Sequence, residues 1–454
     1  MVDKKVSSLY THTFTRRVNL PVSADEAFAW HERPGALERL IPPWQRVDVI
    51  RKTGGIANGA RIELVTHVGP LSQTWVVEHR DYERGRQFRD VALSGPFAYW
   101  DHLHLFQTEG PASSVMEDKI EYALPAGVMG EFFAAGFVQR QLQRMFRYRH
   151  DTTASDLALH ASYAGRSGLK IALTGSSGLI GSALAPFLST GGHQVQSIRR
   201  KKTTGDFWEQ TELEVDAVVH LAGENLVGRW TPEKKALIRD SRVEGTRSLC
   251  QWLSGQQHPP KVLICTSAIG YYGSRGEEEL DEQSSPGEGF LSELTQAWEK
   301  AAEEAQQRGI RLVFLRLGVV LSPRGGALAK MLLPFKCGAG GRVGNGRQYL
   351  SWISIDDVLG AIYHALMNDS LTGPINVVAP RPVTNAEFAS TLGSVLRRPA
   401  LVPVPAAVVK SIWGEMGKEL LLSSTRVMPK LLLQSGYCFR HAELADALRH
   451  LLGQ

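Results

Sequence analysis

Sulfur is scarce in this chain. Its 454 residues include four cysteines. Cys250, Cys265, Cys337 and Cys438 form no CxxC or CxC pair, so neither a disulfide framework nor a thiolate zinc site is expected. They read as free thiols in a reducing compartment. Long apolar runs are missing too: no uncharged stretch is long enough to cross a bilayer. The opening MVDKKVSSLYTHTFTRR lacks the apolar core of a signal peptide. These absences predict a cytoplasmic protein with no membrane span. The net charge of +5 is small, and no dense Lys/Arg stripe with interleaved aromatics stands out, so no nucleic-acid partner is expected.

What is present divides the chain. Residues 12–123 hold strand-like segments of period two, among them RVDVIRK, SQTWVVEHRDY and FAYWDHLHLFQT, separated by turn signals such as TGGIANG. PVSADEAFAWHE, between the first two strands, predicts a short helix capped by Ser23 with Glu26 completing a capping box. After the last strand, the spacing of Phe137, Leu142, Met145 and Phe146 predicts a long amphipathic helix. His102 and His104 share one face of their strand. With no third ligand evident, they read as residues of a half-exposed sheet face, and no metal site is assigned.

From Lys170 the pattern changes. Short apolar strands such as KIALTG, AVVHLAG, KVLICTSA and RLVFLRLG alternate with helices, which predicts a parallel sheet covered on both faces. The expected division is 1–160, an α+β domain; 168–380, a Rossmann α/β domain; and 381–454, a helical segment completing the substrate lobe.

The stretch IALTGSSGLIGSAL places Gly175, Gly178 and Gly181 between a strand and a helix. This is the arrangement that holds a dinucleotide pyrophosphate: a tight turn, a close backbone approach, and a helix packed against the sheet with its N-terminal amides free. In NAD sites an acidic residue about twenty positions on receives the ribose 2′-hydroxyl. Here QVQSIRRKK puts Arg199 and Arg200 there. A guanidinium pairs with a 2′-phosphate, which a carboxylate would repel, so NADP(H) is expected.

The order TGSSGLIG, HLAGE, CTSAIGYYG resembles the extended short-chain dehydrogenase/reductase (SDR) superfamily, and more narrowly its atypical "epimerase family" branch. LAGENLVGRWTPEKKALIRDSRVEGTRSL and GNGRQYLSWISIDDV carry the closer match. The first 150 residues resemble the START-like, helix-grip fold of the polyketide-cyclase superfamily, whose cavity takes an apolar ligand. The SDR resemblance implies that Gly175, Ser176, Gly178, Leu179, Ile180 and Gly181 bind the dinucleotide phosphates. It implies that Arg199 and Arg200 meet the 2′-phosphate, and that Leu221, Ala222, Gly223 and Glu224 line the ribose side. Ser267 falls at the catalytic Ser/Thr position, Arg316 and Leu317 near the nicotinamide, and Arg242, Gln348 and Trp352 by the substrate.

One expected motif is absent. The helix after Ser267 reads GFLSELTQAWEKAAEEA and offers no Tyr-x-x-x-Lys, the usual acid/base pair. Tyr271 and Tyr272 are nearby substitutes, and Arg242 is the cation expected to lower a phenol's pKa. Glu299 reads as a residue pairing on a solvated helix face. His220 reads as packing, Asp356 and Asp357 as a helix cap, and KCGAGGRVGNGRQ as a substrate-side loop. The function expected is an NADP(H)-dependent oxidoreductase or epimerase for a bulky or apolar substrate. The alternatives are an inactive NADPH-binding sensor or scaffold, and a lipid or polyketide carrier with a vestigial reductase domain.

Overall fold

The computed structural model describes residues 11–454 apart from 126, 167, 204 and 209–212. The chain forms two compact units, the first running to residue 167 and the second holding nearly all the rest. Among the described residues, no helix is long and apolar enough to cross a membrane.

In the first unit, β1 (His12–Leu20) is followed by α1 (Ala24–Glu32) and α2 (Ala36–Leu40). Six strands follow: β2 (Arg46–Thr53), β3 (Arg61–Val68), β4 (Leu71–Glu83), β5 (Gln87–Ser94), β6 (Tyr99–Gly110) and β7 (Ser113–Ala123). The unit closes with α3 (Gly127–Ala161). The sheet is antiparallel with seven strands in the order β1-β7-β6-β5-β4-β3-β2. It is the START-like α+β arrangement, in which α3 lies on the sheet. Phe14, Trp100, Ile120 and Tyr122 from the strands and Leu142 and Phe146 from α3 form one core cluster. Phe137, on the same helix, is exposed. Ser23 caps α1 by accepting from Glu26 N–H. The Glu26 carboxylate turns away from the cap to Arg33, at 2.7 and 3.0 Å, because a charge-assisted pair is stronger than a bond to one amide.

A buried ion pair ties α2 to α3. Arg39 Nε and Nη2 donate to the two oxygens of Asp156 at 2.7 and 2.9 Å, and both side chains are buried. Asp156→Ala removes the carboxylate that receives two hydrogen bonds from this buried guanidinium, so this unit should lose about 3–5 kcal/mol of stability. Urea denaturation measures it, and a loss below about 1 kcal/mol would contradict the role assigned here.

The second unit begins with β8 (Lys170–Thr174), α4 (Leu179–Thr190), β9 (Gln194–Ser197), a hairpin of β10 (Arg200–Thr203) and β11 (Gly205–Trp208), β12 (Ala217–His220) and α5 (Pro232–Ser254). Then come β13 (Val262–Ala268), a 3-10 turn Ile269–Tyr272, β14 (Glu279–Leu280), α6 (Phe290–Ala302), β15 (Arg311–Leu317), β16 (Val319–Leu321) and α7 (Gly326–Lys336). Next are β17 (Tyr349–Leu350), β18 (Trp352–Ser354), α8 (Ile355–Met367), β19 (Gly373–Val377), β20 (Val383–Thr384), α9 (Asn385–Leu396) and α10 (Ala406–Leu420). The chain ends with β21 (Arg426–Val427), α11 (Lys430–Gln434) and α12 (Leu444–Leu452).

The main sheet is parallel with six strands in the order β19-β15-β13-β12-β8-β9. Its central strands are mostly apolar and are buried except at Lys170, which opens β8, and Ala268, which ends β13, as a sheet covered on both faces requires. The order reverses between β8 and β12, so the crevice at the carboxyl ends of these strands is where a doubly wound fold receives its ligand. His220 is buried between Thr174 Oγ1 at 2.7 Å and Thr246 Oγ1 at 3.1 Å. It holds β8 and α5 to β12, and burial lowers its pKa to about 4. Asp357 N–H donates to Ser354 Oγ at the start of α8. The Asp357 carboxylate also accepts from the amides of Arg440 and His441 at 2.7 and 3.1 Å. Thr384 and Glu387 form a full capping box on α9.

Candidate functional site

The glycine loop is built by close backbone approaches. Gly175 has φ +66°, and a side chain there would meet the backbone of Leu221 and Ala222 at 2.8 Å. A Cβ on Gly181 would lie 2.3 Å from Gly175 O, so only glycine lets α4 start this close to the loop. Gly178 is exposed, and its nearest atom is Gly175 O at 3.2 Å. The loop therefore presents open backbone to a ligand at the N-terminus of α4, where unpaired amides and the helix dipole favour an anion. Thr174 Oγ1 accepts from Leu221 and Ala222 N–H at 3.1 and 3.3 Å, fixing the opposite rim. Glu224 N–H donates to Ser241 Oγ, and its carboxylate pairs with Lys234 at 2.5 Å.

Arg199 follows β9 and is exposed; Arg200 opens β10 and is half-buried. A methyl on Gly245 of α5 would meet Arg200 Nη1 at 3.3 Å, so that guanidinium lies along α5. The side chains of Lys201 and Lys202 lie outside the described residues.

At the end of β13 the side chains form a polar network. Ser267 Oγ donates to Glu299 Oε1 at 2.6 Å. Arg316 grips both oxygens of Glu299, Nε at 2.9 Å and Nη2 at 2.8 Å. Its Nη1 donates to Tyr272 Oη at 3.0 Å, and Tyr272 Oη–H donates to Asn376 Oδ1 at 2.7 Å. The same guanidinium lies 3.5 Å from the centre of the Tyr271 ring.

Three expectations change here. Glu299 does not pair on a solvated face; it turns inward to Ser267 and Arg316. The cation that reaches Tyr272 is Arg316, whereas Arg242 donates to Glu224 O at 2.9 Å and stands over the Trp298 ring. Tyr272 is fully buried, and burial outweighs Arg316 and Asn376 to raise its pKa to about 12, so its phenol is not activated. Tyr272→Phe should cost about 1–2 kcal/mol, since it strips a partner from Arg316 and Asn376. The same substitution should leave cofactor affinity unchanged, which fluorescence titration with NADPH checks.

Trp352 is enclosed in a hydrophobic cluster with Leu321 and Leu448, and its indole N–H donates to Arg381 O at 3.0 Å. It lies in a core instead of on a cleft wall, because β18 is buried along its length. Leu317, at the end of β15, pairs with Ala268. Gln348 Nε2 is spent on Val343 O and Leu421 O at 2.9 and 3.1 Å, yet the residue borders a pocket of about 1160 Å³. That pocket opens beside the 3-10 turn, between Gly270–Glu277, the loop at Gly344–Gln348 and α10. Arg347, Lys410 and Lys418 border it, together with Glu277, Glu288 and Glu419. Its wall carries charges of both signs beside apolar surface.

The first unit holds a second cavity, of about 440 Å³, beneath the sheet. Leu40, Ile41, Ile62, Trp75 and Trp100 supply its apolar wall. Its polar end holds His79, Asp90, His102 and His104. The half-exposed reading of His102 and His104 is corrected by burial: 2% and 7% of their surface is accessible. They share the inward row of β6 with Trp100 and Phe106. Asp118, from β7, lies 2.9 Å from His102 Nε2 and 2.7 Å from His104 Nδ1, and accepts from or pairs with His150 Nε2 at 2.5 Å. Burial opposes charge on Asp90, His102, His104 and Asp118. Even so, Asp118 and Asp90 raise His104 to about 9, while burial and the His104 charge lower His102 to about 4.

The six-stranded parallel sheet, its glycine loop and the serine at the end of β13 define an SDR-like Rossmann protein. The model of the NAD dependent epimerase/dehydratase family matches residues 171–378. The polyketide cyclase / dehydrase and lipid transport family matches 20–149, and a domain of unknown function matches 404–451. An epimerase family protein of Mycobacterium bovis is 40% identical over 290 residues, 61% of this chain and 96% of its own. The chain belongs to the epimerase family. A solved structure titled nucleoside-diphosphate sugar epimerase, from Corynebacterium glutamicum, is 31% identical with a TM-score of 0.77, covering 97% of this chain and 90% of that one. The human epimerase family protein SDR39U1, solved with NADPH, is 35% identical with a TM-score of 0.57 over 62% of this chain and 99% of that one.

Proposed function

We propose that this chain is an NADP(H)-dependent oxidoreductase or epimerase whose substrate occupies the charged pocket beside the 3-10 turn. The observation that carries the cofactor reading is the pair Arg199 and Arg200 where an acidic residue would select NAD. The NADPH in the human relative supports it. Amides of the glycine loop and the start of α4 hold the pyrophosphate, and the two arginines hold the 2′-phosphate. When bound, the nicotinamide supplies or accepts a hydride. The chain's own part is proton transfer and orientation. Ser267 is held on Glu299, and Tyr271, half-buried over Arg316, is the phenol placed to exchange a proton at Oη. Arg275, Arg347, Lys410 and Lys418 outnumber the three carboxylates on the pocket wall and favour an anionic substrate group, which fits the diphosphate sugar named for the Corynebacterium relative. The apolar ligand belongs instead to the cavity of the first unit, and the residues from 381 complete the substrate lobe through α10.

Equilibrium titration tests the cofactor. NADPH should bind more tightly than NADH, and Arg199→Ala should weaken NADPH by about 10–100-fold while leaving NADH unchanged. Equal affinity of the wild type for the two nucleotides would overturn the reading. A second reading, an NADPH sensor without turnover, is favoured by the absent Tyr-x-x-x-Lys and by the engagement of Ser267. Incubation with NADPH and a panel of nucleotide sugars separates them. Turnover lost in Tyr271→Phe supports the enzyme, and an inert cofactor across the panel supports the sensor.

A further inference from the structure

We propose that the polar end of the first unit's cavity is a binding site for one divalent transition-metal ion, held by Asp90, His102 and His104. The register puts the three together. Asp90 on β5 stands opposite His102 on β6, and His104 stands opposite Phe88, two residues before Asp90. One face of the sheet therefore carries all three side chains side by side. Their ligand atoms lie within 4.8 Å of one another. His104 Nε2 is 3.4 Å from Asp90 Oδ2, and His102 Nδ1 is 3.9 Å from the same oxygen. Donors around a tetrahedral ion with bonds of about 2.0 Å stand roughly 3.3 Å apart, so small side-chain shifts close the site.

The outer nitrogens give the second argument. A metal-bound histidine usually hands its other ring nitrogen to a carboxylate, which fixes the ring and raises its basicity. Asp118 does this for His102 through Nε2, at 2.9 Å, and stands 2.7 Å from His104 Nδ1 without an aligned bond among the described residues; His102 Nδ1 and His104 Nε2 are turned toward Asp90. Two histidine nitrogens and one carboxylate are the donor set of open zinc and iron(II) sites, and the remaining positions face the cavity.

Independent evidence of an unmet polar demand comes from His79. It is 2% exposed and borders the cavity. Its Nδ1 sits 2.6 Å from Asp90 Oδ1, but among the described residues neither atom, nor His79 Nε2, has a correctly aimed hydrogen bond. Buried polar atoms are rarely left so. An ion drawing on Asp90 and a water on its open position would give these atoms partners. Among the described residues the other cluster of this kind, Asp356 with His441 and His450, lacks this logic: the Arg440 guanidinium already sits 3.7 Å from Asp356 and 3.2 Å from His450.

The test uses the full chain, purified without a histidine tag and analysed for metals by mass spectrometry. About one equivalent of zinc or iron per chain is expected. Apo protein prepared with a chelator should bind added cobalt(II) with visible d–d absorption, and zinc should displace it. Asp90→Asn and His104→Ala should each abolish that band, with the far-UV circular dichroism and the melting transition of the first unit retained as the check on folding. His441→Ala should keep the metal. The proposal is overturned if the wild type takes up none of the three metals, or if His441→Ala removes the metal while Asp90→Asn retains it. Should both front-unit variants unfold, cobalt absorption of the wild type decides: a band with nitrogen-ligand shifts supports the site, and its absence sinks it.

Discussion

Replacing Glu299 by alanine should lower the stability of this protein by about 3–5 kcal/mol and remove whatever turnover it supports. Arg316 is the reason. Its side chain is 3% exposed, and both oxygens of Glu299 neutralise it at 2.9 and 2.8 Å. Removing the carboxylate strands a guanidinium in a dry site between Ser267, Tyr271 and Tyr272. Breaking such a pair from one side costs far more than replacing both partners by apolar groups. The double variant Glu299→Leu with Arg316→Met should therefore be more stable than Glu299→Ala alone. Urea denaturation of the three proteins reads this order directly. A single variant that loses less than about 1 kcal/mol would show that the pair is solvated and structurally idle.

Gly181→Ala should abolish cofactor binding, with NADPH affinity reduced at least about 100-fold, an effect near 3 kcal/mol. The added methyl lands 2.3 Å from Gly175 O and 2.7 Å from Ser176 Cα. Both are backbone atoms, which cannot swing aside as a flexible side chain would. The loop must move off the N-terminus of α4, and the amides that hold the phosphates move with it. Gly178→Ala is the informative contrast. Its methyl meets one protein atom, at 3.2 Å, and otherwise points to open space. That variant should keep the melting temperature of the free protein while losing affinity for the nucleotide. Gly181→Ala should lower both. Thermal melts with and without NADPH measure the two effects together, and unchanged NADPH affinity in Gly181→Ala would refute the close-approach argument.

Much of this was legible in the chain because it is local. Period-two alternation foretold the strands of the antiparallel sheet. A run of apolar segments separated by helices foretold the parallel one. The glycine spacing marked the turn from β8 to α4, since only glycine fits where Leu221 and Gly175 O come so near. The capping boxes at Ser23 and Thr384 shared one sequence signature, but only Thr384 formed both bonds, because Glu26 found Arg33 instead. A partner seven residues away on a bent chain is already beyond local pattern.

What the sequence determined by itself was the set of elements, the glycine loop, the absence of Tyr-x-x-x-Lys and the two arginines after β9. What the tertiary structure decided was which polar side chains meet. Glu299 sits in a helix that looks solvated, and Arg316 ends a buried strand 17 residues later; only the packing of α6 on the sheet brings them together. His102 and His104 were visible as a pair, and Trp100 and Phe106 in the same parity already pointed inward. Their carboxylates, Asp90 and Asp118, come from the strands on either side of β6. Strand register is a long-range property, fixed by which faces bury apolar surface across the whole sheet. No single stretch of residues records it.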